Sequence, residues 1–138
     1  MIDPLKAATA IASSGIQAQS TRMRVVSENI ANARSTGAEP GSEPYTRKTV
    51  LFSQMLDRTL GANVVKVKST EIDKTPFPVE HDPGNPAANA EGMVKVPNVN
   101  ISVEMADMRE AGRSYSANLQ MVKQVRNMVA MTIDLLRS

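Results

Sequence analysis

At 138 residues, with 16 Lys and Arg against 14 Asp and Glu, the chain is one domain's length and nearly neutral, and its scattered basic residues form no stripe for nucleic acid. Cys and Trp are absent, and two Phe and two Tyr stand beside nine Met, which excludes a disulfide framework and thiolate chemistry and argues against a large aromatic core. Helices packed through Ala, Val, Ile, Leu and Met are the expected source of stability, and unbranched Met suits contacts with several unlike neighbours.

Asp3-Pro4 reads as a helix start, because Asp caps free backbone N–H groups and Pro at the first helical position loses no hydrogen bond. Over residues 5–32, Leu5, Thr9, Ala12, Ile16, Gln19, Met23, Val26 and Ile30 recur at alternating spacings of 4 and 3, the seam of a coiled coil. Ala and Ser fill the positions off the seam, leaving room for further helices. The helix is expected to end between 29 and 37, with Asn32 in the left-handed conformation. The N-terminus has no basic region before an apolar run, so no cleaved secretory signal is expected. No stretch reaches the roughly 18 apolar residues of a membrane span.

Prolines and glycines from Pro40 to Pro97 exclude a long helix. Strands are expected at 45–52, 63–72, 77–80 and 92–96, with 53–60 open between strand and helical turn. His81 between Glu80 and Asp82 has no partner elsewhere for a metal site or a triad, and reads as a solvated loop histidine. Asp82-Pro83-Gly84-Asn85-Pro86 lacks the spacing of a calcium loop and reads as a rigid turn. No phosphate-cradling or nucleophile-elbow motif occurs. No catalytic, metal or cofactor-binding residue is therefore assigned, and no cofactor is expected.

A second helix begins between 98 and 102, where Asn98, Asn100 and Ser102 are all plausible caps, and runs to the end of the chain. Met105, Met108, Gly112, Tyr115, Leu119, Val122, Arg126, Val129, Ile133 and Leu136 repeat the seam, and Met121, Val125, Met128, Thr132 and Leu135 form a second stripe beside it. A helix apolar over that arc calls for more than one partner. The fold expected is mainly α with a small β-rich insert. Residues 1–34 and 98–138 form long helices paired as an antiparallel coiled coil, and 35–97 form the insert. Thr, Gln, Gly and Arg on the seams return little on burial. The terminal segments are therefore expected to be partly unfolded in the free subunit and to order on assembly.

The stretch Ser27-Glu28-Asn29-Ile30-Ala31-Asn32, with Ser35-Thr36-Gly37 following, resembles the N-terminal signature of the rod and hook axial proteins of the bacterial flagellum. Asp82-Pro83-Gly84-Asn85-Pro86, then Glu91-Gly92-Met93-Val94, then Pro97-Asn98-Val99-Asn100 with Glu104-Met105 and Met108, and later Arg113-Ser114-Tyr115-Ser116-Ala117-Asn118, are similar to the proximal-rod members of that family. The resemblance covers nearly the whole chain and is weakest over 38–76. It implies a non-enzymatic structural subunit of the proximal rod, assembling helically to transmit motor torque across the periplasm. It further implies other rod proteins and copies of the same chain as partners, with export from the cytoplasm by the flagellar type III apparatus. The expected assembly contacts are Leu5, Ile16, Met23, Val26, Ile30, Leu119, Val122, Val129, Ile133 and Leu136. A component of another type III tube, a cytoplasmic helical adaptor and a metal-dependent hydrolase built on Glu80, His81 and Asp82 remain as rival readings.

Overall fold

The computed structural model describes residues 3–137. Helix α1 spans Pro4–Ala31 and helix α2 spans Ile101–Arg137, with four strands between them: β1 (Lys48–Asp57), β2 (Ala62–Ile72), β3 (Val79–His81) and β4 (Met93–Lys95). The chain is thus mainly α with a small β insert.

Asp3 caps α1 as its sequence predicts: Oδ1 accepts the backbone N–H groups of Leu5 at 3.0 Å and Lys6 at 3.4 Å, and Pro4 opens the helix. The other end differs from expectation. Asn32 sits at φ −101°, outside the left-handed region, because its side-chain amide donates back to the Glu28 carbonyl at 2.9 Å and closes the last turn without a backbone reversal. Asn100 caps α2, its Oδ1 accepting from Ser102 N and Val103 N at 3.0 and 3.3 Å.

The helices run side by side in opposite directions. Asn29 meets Glu104, Arg22 meets Asp107, Gly15 lies against Asn118, and Leu5 and Thr9 share a cleft with Val125 and Val129. On α2 the inward stripe is Glu104, Ala111, Val122 and Val125. This stripe is rotated from the expected seam, and Met105 and Leu119 are left exposed. The cause is the fit at the contact. Ala111 admits α1 closely, and a Cβ on Gly15 would stand only 2.6 Å from Asn118 Nδ2, so small residues set the approach rather than the larger apolar ones. In α1 the buried residues are Ala12, Ala18, Val25, Val26 and Asn29, a broader arc than one seam because α1 also carries the β1–β2 hairpin.

That hairpin is antiparallel, with a register shift between Leu51 and Phe52. It starts later than expected, because Arg47 pairs with Asn98 before β2 is reached, and it runs through the ambiguous 53–60 stretch as strand up to Asp57. There Asp57 Oδ1 accepts Thr59 N at 2.9 Å and Leu60 N at 3.3 Å, and Gly61 at φ +60° completes the reversal. Strands β3 and β4 form a second, smaller ribbon over buried Val94 and Ala87. His81 lies in strand β3 rather than in a loop, and it is exposed.

Candidate functional site at the helix–insert joint

The two long helices meet the insert at one place, and the residues there are polar. Asn29, in the last two turns of α1, is fully buried. Its Nδ2 donates to the Lys48 carbonyl at 2.8 Å and to Glu104 Oε2 at 3.1 Å. Its Oδ1 accepts from Lys48 N and from the Tyr45 hydroxyl, both at 2.9 Å. Two donors and two acceptor sites exhaust an amide, so the residue is satisfied without water. Toward β1 it behaves as a strand: one side chain of a helix takes both backbone groups of Lys48.

Glu104, in the first turn of α2, is also fully buried. Its Oε1 accepts from Arg47 Nε at 2.5 Å, and Arg47 Nη1 reaches Asp73 Oδ2 at 3.1 Å. A buried carboxylate is tolerated only when paired and hydrogen-bonded, and Asn29 and Arg47 do both. Asn98 completes the joint. Its Oδ1 accepts Arg47 N at 2.8 Å, and its Nδ2 donates to the carbonyls of Asp73 and Thr75 at 3.1 and 3.0 Å. Outside this core Lys48 Nζ pairs with Glu28 and lies 5.9 Å from the Tyr45 ring centre, and Arg22 pairs with Asp107.

The electrostatics follow from that packing. Burial opposes the Arg47 charge, but the Glu104 hydrogen bond and charge, helped by Asp73, outweigh it and raise the pKa. Hydrogen bonds from the Thr75 hydroxyl and backbone N–H hold Asp73 below the usual carboxylate range, with Arg47 adding to them. Burial, then the Glu28 charge, pushes the Tyr45 phenol up. The Glu28 hydrogen bond raises Lys48. Each of these four shifts holds its group in its ordinary charge state near neutrality, which suits a structural clasp. Among the described residues, no group of three His, Cys, Asp or Glu side chains is placed to hold a metal ion, and no helix is long and apolar enough to cross a membrane.

The motif residues divide on this frame. Asn29, Asn98 and Asn100 are tied into the joint or its cap, Pro97 is buried beside it, and Glu28 and Asn32 close the end of α1. Ser27 and Ala31 are exposed, Ile30 and Val99 half-buried. Tyr115 and Asn118 are half-buried on α2, Asn118 against Gly15, and Ala117 is exposed. Sequence reasoning assigned no role to Arg47, Tyr45 or Asp73, and cited Glu104 only as part of a motif. The available signal was Glu104 itself, a carboxylate standing in register with Ala111, Val122 and Val125 on the inward face.

Of the expected assembly residues, Val26 and Val122 are buried within the single chain. Leu5, Ile16, Met23 and Ile30 are half-buried, and Leu119, Val129, Ile133 and Leu136 are exposed.

A paired-helix scaffold with an insert clasped to one end, and a polar site made of packing contacts, defines a structural subunit. Residues 10–38 match the family described as Flagella basal body rod protein, and residues 90–135 match Flagellar basal body rod FlgEFG protein C-terminal. The chain is 61% identical over 137 residues to the flagellar basal-body rod protein FlgC of Agrobacterium fabrum, covering 99% of each chain. It is 38% identical over 125 residues to FlgC of Salmonella typhimurium, covering 91% of this chain and 92% of that one. Against FlgC of Borreliella burgdorferi the identity is 34% over 145 residues, covering 92% and 94%. The chain belongs to the FlgC family of flagellar basal-body rod proteins, a structural rather than enzymatic family of the basal body. Asn29 and Glu104 come from the two matched segments, whereas Arg47 and the hairpin lie outside both.

Proposed function

We propose that this subunit occupies the proximal part of the rod and assembles helically with copies of itself and with other rod proteins, transmitting torque across the periplasm after export by the flagellar type III apparatus. The observation that supports this reading is a difference in length. Helix α1 has 28 residues and α2 has 37, and Leu5 at the start of α1 already reaches Val125 and Val129. The last turns of α2 therefore project past the end of α1 by about 12 Å. They carry Met131, Ile133 and Leu136, the last 83% exposed. Leu119 and Val129 stand at the exposed margin of the same helix.

Of these, Leu119, Val129, Ile133 and Leu136 keep the 3-and-4 spacing of a seam, which suits knobs-into-holes contacts with helices of neighbouring subunits. Each such residue gains about 1.5–3 kcal/mol on burial. The expected assembly contacts thus separate by role: Val26 and Val122 build the subunit, while Leu119, Val129, Ile133 and Leu136 join it to others. The segment that orders on assembly is then the projecting end of α2 rather than both helices.

Ile133→Asp and Leu136→Asp test this in cells whose own copy of the gene has been removed. Purified variants should keep their helical content and unfolding midpoint, because these positions touch little within the chain. The cells should nevertheless fail to swim and should accumulate unassembled subunit. Normal swimming by both variants would refute the role of this face.

A further inference from the structure

Just past the end of α1, the chain and the β3–β4 ribbon border a groove of about 480 Å³ at the clasped end of the subunit. Pro78, Val96 and Ile101 give it an apolar lining, and Arg34, Glu80 and Asp82 line it with charge. The projecting tip of α2, at the opposite end of the helix pair, has the matching chemistry. Ile133 and Leu136 are exposed there, and Asp134 and Arg137 are exposed on the neighbouring face at the same spacing of three. Among the described residues, none of these five charged groups has an ion pair. The last four carbonyls of a helix lack intrahelical partners and form its negative end, which favours a cation such as Arg34 beside it. The wider side-chain charge runs the same way. Residues 35–46 and 78–94, joined by Gly41 N to the Ala87 carbonyl at 3.2 Å and by Thr36 Oγ1 to Asn85 Oδ1 at 3.3 Å, hold Glu39, Glu43, Glu80, Asp82 and Glu91 and no Lys or Arg. Residues 111–137 hold Arg113, Lys123, Arg126 and Arg137 against Asp134 alone. Tip against tip, or groove against groove, would set like charges together, whereas tip against groove sets opposite ones.

We propose that the tip of α2 enters this groove in a second copy of the chain. Ile133 and Leu136 meet the apolar lining, Arg137 meets Glu80 and Asp82, and Arg34 meets Asp134 and the last carbonyls of the helix. Ile101 and Leu136 lie roughly 50 Å apart along α2, so no tip reaches the groove of its own chain. The contact is heterologous and does not close on itself: each copy that fills a groove leaves its own groove open for the next. The inference rests on the assembly role given above to the end of α2, and it adds the surface that receives it.

The test is charge reversal across the contact, read as swimming and as subunit incorporated into isolated basal bodies, in cells whose own copy of the gene has been removed. Arg137→Glu, and Glu80→Lys together with Asp82→Lys, should each lower incorporation at least about tenfold, because each sets like charges across the contact. All three substitutions in one chain set opposite charges again and should return incorporation to within about twofold of wild type. Circular dichroism of the purified chains verifies that each variant is folded. Cross-linking gives a second readout in a protein without cysteines of its own. A flexible bismaleimide should join Ile101→Cys to Leu136→Cys into a ladder of multimers, which neither cysteine alone can give. Unchanged incorporation of both charge variants, a folded triple variant that fails to recover, or absence of the ladder would each overturn the groove as the receiving surface. If Ile133→Asp and Leu136→Asp still abolish swimming in that case, the assembly role of the tip stands without the groove. Normal swimming by those two variants would remove both.

Discussion

Asn29 uses its whole amide, two donors and two acceptor sites, to hold Lys48, Tyr45 and Glu104 in place. Asn29→Ala would leave the Lys48 backbone groups and one carboxylate oxygen short of partners in a buried site. The expected loss is about 2–3 kcal/mol, read as a lower urea midpoint at unchanged slope. Arg47→Met strands the buried Glu104 carboxylate and should cost about 3 kcal/mol, at the low end for a broken buried pair because Arg47 keeps some exposure. Adding Glu104→Leu should recover much of that loss, since removing both charges costs less than orphaning one. Asp73 gives the joint a pH signature. Its folded pKa lies below its unfolded value, so its contribution is present above about pH 4 and is lost as pH falls through the folded pKa. Acid unfolding followed from pH 5 to pH 2 should show that loss, and Asp73→Asn should flatten it.

Among the elements, the contact between α1 and α2 is governed by small residues. Gly15→Ala alone should be nearly neutral: a gain of about 1 kcal/mol in helix propensity is offset by displacement of the Asn118 amide. In an Asn118→Ala background the offset disappears, and the double variant should exceed the single Asn118→Ala by about 1 kcal/mol in thermal or urea unfolding. This contact also shows what the sequence could and could not disclose. Both helices, the cap at Asp3, a cap of α2 narrowed to Asn98, Asn100 or Ser102, and the hairpin strands were legible, because capping chemistry and apolar period are local properties. The rotation of α2 was not, because the period gives a stripe without saying whether Met105 or Glu104 faces inward. That choice depends on the close fit of small residues at the contact and on Arg47, which lies 57 residues away and enters only once the insert folds. The joint was legible in part. Its asparagines stood out as a motif, whereas Arg47 and Asp73 look like ordinary surface charges until a partner buries them.

At the scale of the molecule, the order of the chain is uneven. Residues 101–129 of α2 lie along α1, and the end of α2 does not. Hydrogen exchange on the free subunit should show strong protection over the first part and fast exchange over 130–137, with the latter lost on incorporation into rods. Uniform protection to the C-terminus would mean that the end of α2 has a partner already in the free state.

The inequality of the two helices has one more consequence. A bundle with helices of equal length would have similar ends, but here the clasped end carries the insert and the other end tapers to a single helix. The subunit is therefore an arrow, with a blunt tail and a pointed head. Stacked head into tail, such units build a filament with two unlike ends, one presenting the clasped insert and the other a single exposed helix. Such a filament carries its direction in every subunit, and here the lengths of two helices mark it.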